Sequence, residues 1–271
     1  MKKEQVILVT GSSGQIGNAL VNHLLENSDY FIIGIDLKAN AIENHRFEFH
    51  QGSVLQIDFL NSISERIANS NRLLTGIVNA FVYPEFNNKP RDTEKLLNKF
   101  PQIPKRTIEL LNAWSQYPTE EAMSSFELNC LGANNVVASQ LENLLNSGGS
   151  SVVHIASQYG IKVPRQELFQ NSQKFSYKPY AYSASKAALI ILSEYQASLF
   201  SGTNVRVNCI SPGSVYREHS EIFVSKVEDS AWTKQMMNLL DVIEPISFLL
   251  SEGSRYMNGS NLVVDGGWSR T

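Results

Sequence analysis

Val6-Ile-Leu-Val-Thr10, a short apolar run of buried-strand type, passes directly into Gly11-Ser-Ser-Gly14-Gln-Ile-Gly17 and then into a helical pattern through Leu25. Strand, glycine loop and helix in this order restrict the chain to a small set of folds. Glycines at 11, 14 and 17 permit a tight turn, a close backbone approach to a pyrophosphate, and close packing of helix on strand. The helix N-terminus then presents unpaired N–H groups to the phosphates. Turns also collect Gly and Ser, so the flanking strand and helix are what give the loop its meaning. Ser13, Gln15 and Ile16 complete the loop without adding positive charge. A second strand, Tyr30 to Asp36, ends in a carboxylate 19 residues after Gly17. An Asp there accepts hydrogen bonds from adenine-ribose hydroxyls and repels a 2′-phosphate, so NAD is favoured over NADP; Leu37 adjoins the same contact.

The chemistry-bearing stretch is Tyr182-Ser-Ala-Ser-Lys186, inside an apolar, helix-favouring run from Ala181 to Leu199. A spacing of four puts phenol and ammonium on one helical face. A phenol is a poor acid or base at neutral pH, and a nearby fixed positive charge favours its phenolate, so Lys186 is expected to lower the pKa of Tyr182.

At 271 residues and 42% hydrophobic content, the chain suits one doubly wound sheet with a sizeable interior. A formal charge of −3 offers no footprint for nucleic acid or an anionic membrane. Met1-Lys-Lys-Glu-Gln leads straight into a strand, and no apolar run approaches membrane-spanning length, so a cytoplasmic location is expected. Cys130 and Cys209 read as buried free thiols, the five histidines are scattered, and no metal is expected. Further strands are read at Phe47–His50, Gly76–Ala80, Ser151–Ala156 and Val205–Ile210. The Gln51-Gly-Ser53-Val54 turn could border adenine, and Ser157 is delivered to the sheet edge where ligands gather. Pieces of helix are read over Thr107–Trp114 and near Glu94–Phe100, and one long helix over Glu120–Asn146 carrying Asn129.

Taken in order, Thr10-Gly11 with the glycine loop, Asn79-Ala80, Asn129, Ser157, Tyr182-x-x-x-Lys186, Asn208-Cys-Ile-Ser-Pro212-Gly213 and Asp265-Gly266-Gly267 resemble the landmarks of the short-chain dehydrogenase/reductases. The resemblance implies a single-domain, three-layer Rossmann-like parallel sheet of about seven strands. It also implies nicotinamide-dependent hydride transfer on a small molecule, in a homodimer or homotetramer packed through the Asn129 and Tyr182 helices. Carried over residue by residue, Tyr182 is the acid/base, Ser157 bonds the substrate oxygen, and Lys186 tunes Tyr182 and holds the nicotinamide ribose. Asn129 holds a water that links Lys186 to solvent. Val215 would bond the carboxamide, beside Pro212 and Gly213.

The chain also departs from the family pattern. Gly-x-x-Gly-x-x-Gly looks like the extended, sugar-nucleotide branch; Ser53 replaces an Asp, Phe81-Val82 replace small residues, and Arg217 stands where a Thr is usual. The stretches from Asn79 to Asn129 and from Ser157 to Tyr182 are each about double the family length, through insertions near 84–118 and 161–178, and both border the nicotinamide edge. The second carries Lys162, Arg165, Lys174 and Lys178 among Tyr159, Phe169, Phe175 and Tyr177, a mixture suited to a polar or anionic carbohydrate-like ligand. Segment 214–238 is expected to form a substrate lid. Val78–Pro84 and Ala156–Arg165 resemble a subgroup linked to bacterial surface-sugar and flagellin-glycan pathways, which implies a sugar or polyol substrate. The alternatives are a carrier-bound 3-oxoacyl reductase, which would prefer NADPH, and a non-enzymatic dinucleotide sensor.

Overall fold

The first strand of the fold, β1 (Glu4–Thr10), is buried on both faces from Val6 onward. Its side chains alternate: Val6 and Leu8 enter one apolar cluster and Ile7 and Val9 the other. This two-faced burial is why the sequence shows a continuous apolar run rather than a polar/apolar alternation. The computed structural model describes residues 3–84, 90–169 and 175–271. Lys174 and parts of both expected insertions lie outside the described residues.

Seven parallel strands form one sheet in the order β3-β2-β1-β4-β5-β6-β7. They are β1, β2 (Phe31–Asp36), β3 (Phe47–Gln51), β4 (Arg72–Asn79), β5 (Ser150–Ile155), β6 (Val205–Pro212) and β7 (Asn261–Val264). The fold is therefore the α/β doubly wound sheet expected from the motifs. Chain order reverses between β1 and β4, and in such sheets the crevice at that point, outside the carboxyl ends of the strands, is where ligands bind.

On one face lie α1 (Gln15–Asn27) and, further along the chain, α10 (Leu240–Leu250), packed through Leu20, Leu24, Ile243 and Ile246. The other face is covered by α2 (Ile57–Ala68), α6 (Ala133–Ser139), α7 (Leu141–Asn146) and the end of α8 (Tyr180–Leu199), through Leu60, Ile63, Val136, Leu144 and Ala197. The remaining helices, α3 (Thr93–Lys99), α4 (Lys105–Ser115), α5 (Thr119–Phe126) and α9 (Glu221–Ser230), lie in the long connections beyond β4 and β6.

The single helix expected over Glu120–Asn146 is broken. A π-helical turn, Glu127–Gly132, separates α5 from α6, and at Gln140 the backbone leaves helical geometry (φ −99°, ψ 9°) before α7 begins. Tertiary contacts account for the first break. Asn129 is buried between the backbone N–H of Tyr83 and the hydroxyl of Ser185, and a Cβ on Gly132 would stand 2.8 Å from Val54. Wider turns of this kind are frequent at functional sites.

Candidate active site

β5 ends at Ile155, and the extended backbone at Ser157 (φ −168°, ψ 152°) turns the chain into a short 3₁₀ helix, Gln158–Gly160. Ser157 Oγ accepts a hydrogen bond from Tyr159 N at 3.1 Å. The same hydroxyl lies close enough to act on the phenol of Tyr182, the third residue of α8. Tyr182 and Lys186 occupy one face of α8, as their spacing requires. Ser157, Tyr182 and Lys186 together line a cavity of about 580 Å³ with Ile16, Ala80, Pro212, Gly213 and Val215.

The electrostatics differ from the sequence expectation. Burial pushes the Tyr182 phenol up, the Ser157 hydroxyl opposes this, and Tyr159 adds to it, so the net direction is up rather than down. Lys186 Nζ donates to the carbonyl of Ile155 at 2.7 Å, and burial lowers its own pKa to about 8. Desolvation disfavours the charged form of both groups, so each moves toward neutrality.

Asn129 is one helix away. Its Oδ1 accepts from Tyr83 N at 2.9 Å and its Nδ2 donates to Ser185 Oγ at 2.9 Å, which ties the π turn to α8 one residue before Lys186. Its side-chain partners are thus structural groups rather than Lys186 itself.

The glycine loop fits a dinucleotide by subtraction. Gly11 has φ +74°, and a Cβ there would stand 2.6 Å from Phe81 N; one on Gly17 would stand 2.1 Å from Gly11 O. Both positions exclude any other residue and hold the start of α1 against β1. Gly14 leads α1 with no side-chain cap, and Ser12 Oγ is buried with no hydrogen-bond partner among the described residues. Uncapped N–H groups beside an orphaned hydroxyl form a cradle for phosphate oxygens. Asp36 accepts from Ser13 N at 3.0 Å and Lys38 N at 2.9 Å, leaving carboxylate capacity for ribose hydroxyls. Leu37 is exposed beside it, Val54 is buried, and Ser53 Oγ accepts from Leu55 N. Gln15 Nε2 reaches across to Tyr216 O at 2.7 Å.

Asn79 is turned inward. Its Oδ1 accepts from Thr10 Oγ1 at 2.7 Å and its Nδ2 meets His154 Nδ1 at 3.1 Å, so its side chain serves the sheet, and Ala80, the next residue, lines the cavity. His154, hydrogen-bonded to Gln196 through its other nitrogen, is fully buried with its pKa lowered to about 4 by desolvation, and is neutral.

The second long segment is sorted by the fold. Tyr159, Phe169 and Lys178 line the cavity, whereas Lys162 reaches the Thr271 carbonyl and Phe175 lies under the Arg106 guanidinium. From the expected lid, Ile222 and Phe223 face the same cavity; Phe223 packs on Phe169, and Lys226 donates to Glu167 O at 2.7 Å. Trp268, whose ring centroid lies 5.2 Å from that of Tyr159, and Gln158, a buried residue of the cavity lining, were not legible as site residues. Gln158 enters the lining as the neighbour of Ser157, whereas Trp268 carries no local signal because it meets Tyr159 only through long-range packing.

Comparison with known proteins agrees with this geometry. A family pattern described as enoyl-(acyl carrier protein) reductase matches residues 106–269, and one described as the NAD dependent epimerase/dehydratase family matches residues 7–72. The chain is 26% identical to post-translational flagellin modification protein A of Campylobacter coli, over 99% of each chain. It is also 26% identical to an NADH-dependent L-xylulose reductase of Ambrosiozyma monospora, over 97% of this chain and 94% of the other. A short-chain dehydrogenase of Leptospira borgpetersenii solved with bound NAD+ superposes with a TM-score of 0.80 at 23% identity, covering 98% of this chain and 93% of that one.

Proposed function

The chain belongs to the short-chain dehydrogenase/reductase family, and we propose that it is an NAD-linked oxidoreductase interconverting a secondary alcohol and a ketone of a sugar or polyol-like substrate. That it is a nicotinamide-dependent oxidoreductase follows from the family. The observation that carries the chemical reading is that Ser157 and Tyr182 line one cavity, with the serine hydroxyl close enough to act on the phenol. Two hydroxyls converging on one point can hold a single substrate oxygen between them.

Bound nicotinamide supplies the hydride acceptor or donor. In reduction, Tyr182 gives its phenolic proton to the carbonyl oxygen as charge develops there, while Ser157 donates a hydrogen bond to the same atom. In oxidation Tyr182 first releases its own proton to solvent and then, as the phenolate, takes up the carbinol proton. With its pKa raised by burial, Tyr182 rests as a phenol and is ready to act as the acid. Lys186, one turn on, is assigned to the nicotinamide ribose, and Asn129 to fixing α8 through Ser185. Gly11, Ser13, Gly14, Gln15, Ile16 and Gly17 are assigned to the pyrophosphate, Asp36 and Leu37 to the adenine ribose, and Ser53 and Val54 to adenine. Asn79 and Ala80 with Pro212, Gly213 and Val215 would flank the nicotinamide side. Asp36 supports NAD over NADP because a 2′-phosphate would meet its carboxylate.

The sugar assignment is supported by the L-xylulose reductase and flagellin modification relatives. We also propose that the chain is one domain whose long segments, 84–118 and 161–178, border the substrate, and that it forms a homodimer or homotetramer. Exposed Leu131 on the π turn and Ile191, Tyr195 and Leu199 on α8 give the subunit contact an apolar surface. The test is turnover by purified protein with NAD(H) or NADP(H) against neutral and phosphorylated sugars, nucleotide-linked sugars, steroids and acyl thioesters. Turnover of sugars with NAD(H) is expected; turnover confined to steroids or acyl thioesters would remove the sugar assignment.

A further inference from the structure

Lys178 lies four residues before Tyr182, and its Nζ stands 3.7 Å from the centroid of the Tyr182 ring and 5.3 Å from that of Tyr159. A lysine on a long connection ordinarily keeps its ammonium in water. Here the backbone is fixed on both sides by one side chain: Lys178 N donates to Gln166 Oε1 at 2.9 Å, and Gln166 Nε2 donates to Lys178 O at 3.1 Å. The clamp directs the side chain into the cavity that holds Ser157 and Tyr182.

The charge of that cavity is one-sided. Lys178, Lys186 and His219 line it with Tyr159 and Tyr182, and no carboxylate is among its described lining residues. Burial, and next the Lys186 charge, hold the Lys178 ammonium down to about 7. His219 is lowered by burial first, then by Arg217 and Lys178. Cations gathered in a desolvated pocket are relieved by an anion that enters with the substrate.

We infer that Lys178 is a specificity-determining residue that receives an anionic group, carboxylate or phosphate, carried by the substrate. The inference rests on the oxidoreductase reading above and narrows it from sugars in general to anionic ones. The geometry separates the two ends of such a substrate. The reacting oxygen meets the Tyr182 hydroxyl, whereas the anion meets an ammonium on the face of the same ring, so the charged group is distinct from the carbinol and a few bonds from it. A lysine serves either anion, as a point charge with three donors.

The experiment compares glucose, glucuronate and glucose 6-phosphate as a matched neutral, carboxylate and phosphate set with NAD+, for the wild type, Lys178→Gln and Lys178→Arg. The wild type is expected to favour one anionic member over glucose by roughly tenfold or more in kcat/KM, the favoured member telling carboxylate from phosphate. Lys178→Gln should cut that preference by roughly tenfold, mainly through KM, and Lys178→Arg should restore most of it. A wild type without anionic preference, or a Gln variant that keeps it, overturns the inference. If none of the three sugars turns over, the test passes to titration calorimetry of malonate and of inorganic phosphate into the NADH-saturated protein. Binding of either that weakens about tenfold in Lys178→Gln supports the anion subsite although the sugar assignment has failed. Absence of binding, or equal binding by both proteins, overturns it.

Discussion

The glycine loop and the segment between Ile155 and Tyr180 both leave the carboxyl edge of the sheet, yet they build their parts of the site by opposite means. Residues 11–17 work by lacking side chains: Cβ atoms at Gly11 and Gly17 would collide with backbone, so bare backbone is the surface proposed to meet the dinucleotide. The described residues of 156–169 and 175–179 work by what their side chains add, with Ser157 beside Tyr182, Lys178 over its ring, and Tyr159 wedged between Trp268 and Phe169. A cofactor shared by many proteins can be read by backbone, which tolerates drift in sequence. A particular substrate must be read by side chains, which long connections can vary without disturbing the sheet.

The largest effect should come from the side-chain region. Tyr182→Phe removes the acid and keeps the ring, and kcat should fall by about 10²–10⁴ while NADH fluorescence still reports binding. Turnover within a few-fold of the wild type would break the comparison, since the chemistry would then not depend on this hydroxyl. For the backbone-read region, Gly17→Ala places a methyl 2.1 Å from Gly11 O. Strain of that kind should cost roughly 2–4 kcal/mol of stability and weaken NADH binding. A variant with wild-type melting temperature and wild-type NADH affinity would show that the loop relaxes freely.

His154 belongs to neither region but holds the strands between them, through Asn79 and Gln196. Its folded pKa of about 4 lies below the ordinary 6.5. The unfolded chain therefore takes up the proton first, so the stability tied to neutral His154 is complete above about pH 6.5 and is lost as pH falls toward 4. The loss should approach roughly 3 kcal/mol. Urea unfolding at pH 7.5, 6 and 5 should show a steeper decline for the wild type than for His154→Gln; parallel lines would dismiss the histidine as the cause. The smallest effect concerns the cofactor alone. Asp36→Ser should shift the NAD-to-NADP preference by roughly tenfold toward NADP, about 1.4 kcal/mol. An unchanged ratio of kcat/KM values would place the discrimination elsewhere.

The amino-acid sequence determined what depends on neighbours in the chain. Strand, glycine turn and helix follow from an apolar run, three residues without Cβ and a 3.6-residue period, and the shared face of Tyr182 and Lys186 follows from helical geometry. The strands read at 6–10, 30–36 and 205–210 were legible for the same reason. Tertiary structure alone decided how the groups behave once assembled. It broke the expected helix at Asn129 through partners at Tyr83 and Ser185, turned Asn79 toward His154, and sent Lys186 to the Ile155 carbonyl. It also raised the Tyr182 phenol that the sequence alone would have lowered, and set Lys178 above it. The physical reason is range: periodicity and steric exclusion act within a few residues. Desolvation and hydrogen-bond partnership depend instead on segments far apart in the chain that meet only when the sheet closes over them.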